Sequence, residues 1–169
     1  MGKKQQDNDI INLKEALLEN AAPVDGRQSE AALAIQRGMV RALAQQNIAC
    51  LPEVPLPNHR RADLMAVTDK GEIWIVEIKS GVADFQADQK WPDYLPYCDR
   101  FYFAVAPDFP TDVLPAKAGL IFADNYGAEI MHDNQQDKLP AARRHLLMRR
   151  MARIGGFRWS RLMEKRANG

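Results

Sequence analysis

Two short runs in the middle of the chain carry apolar and polar residues with a two-residue period. They span residues 62–67 and 73–79, and the segment 68–71, with the sequence TDKG, separates them. A two-residue period is typical of a β-strand, and Asp and Gly between two such runs favour a tight turn. The pattern therefore predicts a β-hairpin over residues 62–79.

The predicted register of this hairpin pairs Val67 with Ile73 and decides where its charges meet. The same antiparallel ladder brings Asp63 opposite Glu77, with facing Cβ atoms roughly 4.5–5.5 Å apart. The second strand is apolar on both faces up to Glu77, so the two like charges meet in buried surroundings. One interpretation is a structural ion pair between Glu77 and Lys79. Because one ammonium group cannot easily neutralise two carboxylates, a divalent cation is the other interpretation.

Segments with a helical period flank the hairpin on both sides. Apolar positions recur at helical spacing in residues 29–47, which predicts a helix that packs on the sheet. From residue 140 onwards, pairs of arginines alternate with apolar residues, which predicts an amphipathic helix that ends at Gly155 and Gly156.

The other predicted elements are one short helix and several strands. Asp84 is the predicted N-cap of the short helix, and Pro92 allows only a kinked or restarted continuation. The order of helices and strands is typical of an α/β domain with a mixed central sheet flanked by helices. The further strand-like segments span residues 50–57, 99–107, 114–124 and 127–133, the last two forming a hairpin.

The chain of 169 residues is 46% hydrophobic and 27% charged, an ordinary composition for one compact soluble domain. We divide it into a polar N-terminal arm over residues 1–24, an α/β domain over 25–139, and a basic helical segment over 140–169 that packs on the same domain. No apolar run approaches the roughly 20 residues that span a bilayer, and the chain opens with polar residues. We therefore expect a cytoplasmic protein without a membrane segment.

Cysteine and histidine residues give no sign of a metal or redox site. Cys50 and Cys98 lack a C-x-x-C spacing, and the polar start of the chain gives no secretory context for a disulfide. His59, His132 and His145 are scattered along the chain, as structural or solvated histidines usually are. The candidate chemistry therefore rests on carboxylates and lysine.

The net charge of +1 hides an uneven distribution. Residues 141–169 contain nine Lys and Arg residues against Glu164, a local charge of +8, so the preceding residues sum to −7. A basic end on an acidic body indicates a binding partner, and we expect DNA. The alternative is a terminal helix that packs by its apolar stripe and keeps its arginines in water. The residues expected to contact DNA are Lys90, Arg149, Arg150 and Arg153.

The hairpin also resembles a known group of enzymes. Asp63, followed by a turn and then Glu77-Ile78-Lys79, is similar to the PD-(D/E)XK nuclease superfamily, in which an Asp on one core strand and an Asp/Glu-x-Lys on the next form a metal-dependent phosphodiesterase site. The wider run over most of residues 27–133 resembles the MmcB-like DNA-repair family within this superfamily. The segments that carry this resemblance are RQSEAALAIQRGMVRAL, RRADLMAVT, WIVEIKSGVADFQADQKWPDY and DRFYFAVAP.

The resemblance implies a restriction-endonuclease-like core and a deoxyribonuclease of DNA repair that depends on Mg²⁺ or Mn²⁺. Asp63 and Glu77 would hold the metal ion, which would polarise the phosphate and generate hydroxide. The resemblance adds the Ile78 carbonyl and the carboxylate of Glu30 as further ligands. Lys79 would orient the attacking water and stabilise the charge that develops on phosphorus.

Two other functions fit the same sequence, because the superfamily includes inactive members. One is a binding module that keeps the fold and uses its basic segment to hold DNA or a repair partner. The other is a protein-interaction subunit that needs no nucleic acid. The sequence leaves open the DNA structure recognised, the cleavage polarity, and whether the protein is a monomer or a homodimer.

Overall fold

A six-stranded mixed sheet is the centre of the computed structural model, which describes residues 29–134 and 136–167. The strands lie in chain order, antiparallel between β1, β2 and β3 and between β5 and β6, and parallel from β3 to β5. The predicted polar arm over residues 1–24 lies outside the described residues. The strands are β1 Ala49–Pro55, β2 Arg61–Val67, β3 Ile73–Lys79, β4 Arg100–Val105, β5 Gly119–Ala123 and β6 Ala128–His132.

One face of the sheet is covered by helix α1, Glu30–Gln45. The helix begins where the sequence predicts, because the side chain of Ser29 accepts a hydrogen bond of 3.1 Å from the N–H of Ala32. Its buried residues Ile35 and Met39 belong to a core with apolar side chains of β2 to β5. The apolar residues that recur with a helical period in the sequence thus form the core-facing side of α1.

The opposite face is covered by three elements: α2, Val82–Ala87; a 3₁₀ helix, Trp91–Tyr97; and α3, Ala141–Ala167. Pairs of aromatic rings fill the space beneath them, including Phe101 and Phe103 with centroids 5.1 Å apart. The break between α2 and the 3₁₀ helix confirms the interruption predicted from Pro92. The apolar stripe of α3 packs on this face through Leu147 and Ile154.

The predicted N-cap of α2 is wrong by several residues. The helix follows Gly81, and Asp84 lies in its first turn. Its carboxylate reaches back to accept hydrogen bonds from the N–H of Ser80 at 2.9 Å and from the Ser80 hydroxyl at 3.2 Å. Asp84 therefore supports the strand-to-helix turn from inside the helix, which a sequence pattern does not distinguish from capping.

Helix α3 does not end at Gly155 and Gly156, which corrects the sequence prediction. Gly155 lies against Leu51 of β1, where a Cβ atom would make ordinary contact at 3.5 Å. Beyond it, the guanidinium of Arg158 donates hydrogen bonds to the backbone carbonyls of Pro52 and, at 2.9 Å, Glu53. These contacts hold the continuing helix on β1 and outweigh the low helix propensity of two glycines.

An ion pair with a buried carboxylate fixes the start of α3 to the sheet. The guanidinium of Arg144 donates to both carboxylate oxygens of Asp99, at 2.6 and 2.7 Å. The same carboxylate accepts from the N–H groups of Ile73 and Leu139. Burial alone would raise the pKa of Asp99, but these hydrogen bonds hold it below its usual range.

The observed architecture confirms the predicted α/β domain with a mixed sheet flanked by helices. The two predicted hairpins form, one between β2 and β3 and one between β5 and β6. Among the helices of the described residues, none has the length and apolarity that a membrane span requires. The predicted division into segments 25–139 and 140–169 stays a prediction.

Two glycine substitutions should separate close packing from helix propensity. A Cβ atom on Gly38 of α1 would lie 1.9 Å from the carbonyl oxygen of Asp124 and 2.5 Å from that of Gly127. Gly38→Ala should therefore lower the free energy of unfolding by about 1–3 kcal/mol. The matched control Gly156→Ala meets open space and should raise it by about 0.5–1 kcal/mol. Urea unfolding measures both, and equal effects of the two substitutions would contradict this packing.

Candidate active site

The ladder between β2 and β3 has the predicted register, with Val67 opposite Ile73 and Met65 opposite Ile75. The backbone pairing ends at Leu64, opposite Val76, so Asp63 and Glu77 are the first residues beyond the ladder. From there, the Asp63 carboxylate accepts a hydrogen bond of 2.8 Å from the N–H of Ile78, and the N–H of Asp63 donates to Glu77 Oε1 at 3.3 Å. The two acidic residues meet as predicted, but through side-chain contacts with the backbone.

Glu77 and Lys79 lie at the end of the one strand whose seven residues are all buried. Glu77 is 4% exposed and Lys79 is 5% exposed. The positive charge of Lys79 acts on both Asp63 and Glu77, and its Nζ lies 4.0 Å from a carboxylate oxygen of Asp88. The structure thus brings Asp63, Glu77 and Lys79 together, with one ammonium group near two carboxylates.

Tyr94 is a member of this site that the sequence analysis missed. Its hydroxyl donates to the carbonyl of Arg61 at 3.1 Å and lies within hydrogen-bonding reach of the Glu77 carboxylate. The 3₁₀ helix brings it there by crossing the face of the sheet that carries Glu77. Its local sequence, an aromatic residue between two prolines, carries no sign of this contact, because the contact depends on the tertiary fold.

Glu53 is a second missed residue, on the neighbouring strand. The pairing of β1 with β2 skips it, and its φ of 52° marks an irregular position in β1. Its carboxylate lies 2.5 Å from Nε of Arg61. Its charge also acts on Asp63, so the acidic field of the site extends to the edge of the sheet.

Burial and nearby negative charges raise the pKa values of both acidic groups. The pKa of Glu77 lies well above its usual range, first because the side chain is buried and second because Asp63 is negative, and Lys79 offsets only part of this. Burial also raises the pKa of Asp63 to about 6, although the N–H of Ile78 opposes the shift. Ionisation of the two carboxyl groups is therefore unfavourable in the empty site, and a bound cation would remove this penalty.

The metal ligands predicted beyond Asp63 and Glu77 find less support. Glu30 is exposed in the first turn of α1, which packs on the opposite face of the sheet. In the part of the chain that the structure describes, no group of three or more His, Cys, Asp or Glu side chains is placed to hold a metal ion. The roles of Glu30 and of the Ile78 carbonyl as ligands stay predictions.

The predicted DNA-binding residues fall into two groups. Lys90, Arg149 and Arg153 are exposed, Lys90 just after α2 and the two arginines on α3. Arg150 is only 3% exposed, and its guanidinium donates a hydrogen bond of 3.1 Å to the carbonyl of Pro55. The prediction that Arg150 contacts DNA is therefore corrected, because Arg150 lies on the core-facing side of α3.

Removing the charge of Glu77 should change how stability depends on pH. The folded protein binds the Glu77 and Asp63 protons more tightly than the unfolded chain, whose carboxyl groups titrate near pH 4. Stability present at low pH is then lost as the pH rises through the raised pKa values. We expect the free energy of unfolding of the metal-free protein to fall as the pH rises from about 4.5 through about 6 and above, and Glu77→Gln to remove the part of this fall that Glu77 contributes.

Urea unfolding at about pH 5 and about pH 7 measures the effect. The matched control is Asp69→Asn, which removes one negative charge from the exposed turn of the hairpin and should keep the pH dependence of the wild type. If Glu77→Gln also kept that dependence, the raised pKa of Glu77 would be excluded.

Comparisons with known proteins agree with the fold and point to one family. Residues 19–166 match the MmcB-like family, described as "DNA repair protein MmcB-like". A solved structure, the "SPO1766 protein of unknown function from Silicibacter pomeroyi", is 38% identical with a TM-score of 0.78, and the match covers 84% of this chain and 97% of that one. No match was found among proteins with curated functions. The chain therefore belongs to the MmcB-like DNA repair protein family.

Proposed function

We propose that this protein is a metal-dependent deoxyribonuclease of DNA repair, with a site of the PD-(D/E)XK type. The observation that carries the proposal is the meeting of Asp63, Glu77 and Lys79 at the buried end of the β2–β3 hairpin. Membership of a DNA repair family supports DNA as the substrate. Phosphodiester hydrolysis is the reaction for which two carboxylates beside a lysine are suited.

The donor set fits a hard divalent cation. Mg²⁺ is commonly held by one or two carboxylates, with water and substrate phosphate oxygens completing its shell, and Mn²⁺ accepts the same oxygen ligands. Asp63 and Glu77 would supply the carboxylates, with the Ile78 carbonyl as the third protein ligand expected from the superfamily. When bound, the ion would polarise the phosphate and lower the pKa of a water molecule.

The side chains of the protein supply the rest of the catalytic arrangement. The Lys79 ammonium group, fixed on a fully buried strand beside Asp88, can hydrogen-bond the attacking water and stabilise charge on the phosphate oxygens. The nearby Tyr94 hydroxyl favours the ionised form of Glu77. Because these groups lie on packed elements, little reorganisation is needed when substrate binds.

A DNA-binding module without cleavage is the second candidate, and one observation favours it. The carboxylates of Asp63 and Glu77 already accept backbone hydrogen bonds, from Ile78 and from Asp63 itself. Among the described residues, no third acidic side chain completes the set. In this candidate, the exposed basic residues bind DNA and the acidic pair is inactive.

Cleavage assays on site variants decide between the two candidates. With Mg²⁺ or Mn²⁺ present, Glu77→Gln and Lys79→Ala should each lower the rate of DNA hydrolysis by about 100-fold or more, because Glu77 would hold the metal ion and Lys79 would stabilise charge on the phosphate. Asp69→Asn is the control for general charge loss and should cleave like the wild type. Glu30→Gln shows whether that residue contributes to the metal site.

Single-stranded, duplex and nicked DNA should all be tested as substrates. Circular dichroism and melting confirm that the variants fold. If the wild type cleaves none of these DNA forms with either ion while it still binds DNA, the nuclease is excluded and the binding module is supported. Activity retained in Glu77→Gln would exclude the assigned site.

Substitution of the arginines on α3 should separate DNA binding from stability. Arg149→Glu and Arg153→Glu should weaken duplex binding and flatten its salt dependence, by about 0.9 in the log–log slope for each phosphate interaction that is removed. Arg150→Ala should instead lower the free energy of unfolding by about 1–3 kcal/mol, because the partly buried Pro55 carbonyl loses its partner. Binding titrations at several salt concentrations and urea unfolding measure the two effects. An unchanged slope for both exposed positions would show that this face of α3 does not bind DNA.

A further inference from the structure

The C-terminal half of α3 carries large apolar side chains that face solvent. Trp159 is 60% exposed, and Leu162 and Met163 are 43% and 45% exposed. Their spacing of three and four residues places them side by side on the helix, and Arg166 is the next residue in the same row. Phe157, also 43% exposed, lies one turn before Arg161. Phe157 lies two positions before Trp159 and therefore on another side of the helix. An exposed aromatic ring beside a cation indicates a ligand that has both flat apolar faces and negative charge.

The cations on this half of α3 determine which ligand is suitable. Arg153 lies over the ring of Phe157, with Cζ 5.9 Å from the ring centroid. Lys165 and Arg166 are exposed in the last turns, and Glu164 is the one acidic residue of α3. A second copy of the chain packed on this row would bring like charges together, which is unfavourable. A polyanion is favoured instead.

This surface begins next to the candidate active site. Arg158 holds α3 on β1 through the backbone carbonyl of Glu53, and the carboxylate of Glu53 acts on Asp63. A strand of DNA that follows α3 from Trp159 towards Arg149 therefore passes β1, the edge strand that carries Glu53. The exposed row on α3 and the candidate active site can therefore bind the same DNA molecule.

We propose that the exposed ring of Trp159, with Arg166 in the same row of α3, forms a stacking surface for single-stranded DNA. Aromatic side chains stack on nucleobases of any sequence, and neighbouring cations bind the phosphates. In a duplex, the base faces are already stacked on each other, so this surface prefers a single strand. The proposal rests on the proposed function for DNA as the ligand, but not on cleavage.

The test is a binding titration of the full-length protein with an oligodeoxythymidylate of about 20 nucleotides, long enough for several stacked bases. The measurement is made without divalent cations, so that cleavage does not interfere. Trp159→Ala should weaken binding about tenfold, equivalent to about 1.4 kcal/mol, with an unchanged salt slope because the same cations still bind the phosphates. Trp159→Phe, which keeps an aromatic ring, should retain most of the affinity.

The matched control is Tyr126→Ala, which removes an aromatic side chain 78% exposed in the turn between β5 and β6. It should bind the oligonucleotide like the wild type. Arg166→Gln should both weaken binding and flatten the salt slope by about 0.7. A competing duplex of equal length should displace the oligonucleotide less well than an unlabelled copy of the oligonucleotide.

Equal affinity of wild type and Trp159→Ala for the oligonucleotide would overturn the proposal. If that variant instead lost self-association in sedimentation, or lost binding to vesicles with anionic lipids, with DNA affinity unchanged, the surface would serve a second copy or a membrane and the proposal would fail. A protein that binds the oligonucleotide through Trp159 but cleaves no DNA supports this inference and excludes only the nuclease. A nuclease whose oligonucleotide affinity is independent of Trp159 supports the proposed function and excludes the stacking surface.

Discussion

The burial of ionisable groups in β3 is the constraint on which the surrounding structure depends. Glu77 and Lys79 end a strand that is buried along its whole length, where an unpaired charge is costly. Three elements contribute groups that offset this cost: β2 brings the backbone N–H of Asp63, the 3₁₀ helix brings Tyr94, and the residues after α2 bring Asp88. The compensation is incomplete, because the pKa of Glu77 remains raised. An arrangement that is unfavourable when empty is well suited to bind a cation.

The basic C-terminal segment combines structural contacts with an exposed cationic surface. Arg144 fixes the start of α3 to Asp99, and Arg150 and Arg158 bind backbone carbonyls of β1. The exposed cations alternate with these arginines along the helix, so only part of the large formal charge of the segment faces solvent. Counting charges in the sequence therefore overestimates the cationic surface available to DNA. The position of each residue on the helix shows which cations face solvent.

Local patterns in the sequence were enough to predict the hairpin, its register and the meeting of Asp63 with Glu77. These features depend on a two-residue period and a turn, which neighbouring residues determine. The burial of Arg150 and the continuation of α3 past Gly155 depend instead on contacts with β1, about 100 positions earlier in the chain. Tyr94 and Glu53 were missed for the same reason. Propensity and periodicity describe a segment alone, whereas these residues acquire their roles from the elements packed against them.

The contacts of α3 with β1 also bear on how the protein meets other chains. A strand at the edge of a sheet ordinarily offers unpaired backbone groups, to which a strand of another molecule can add. In β1, Pro52 and Pro55 have no N–H to offer, and their carbonyls accept hydrogen bonds from Arg158 and Arg150. The sheet is therefore closed to extension at this end, which protects it against edge-to-edge aggregation. A protein that recruits this chain at β1 has to recognise the outer side chains of α3 rather than lengthen the sheet.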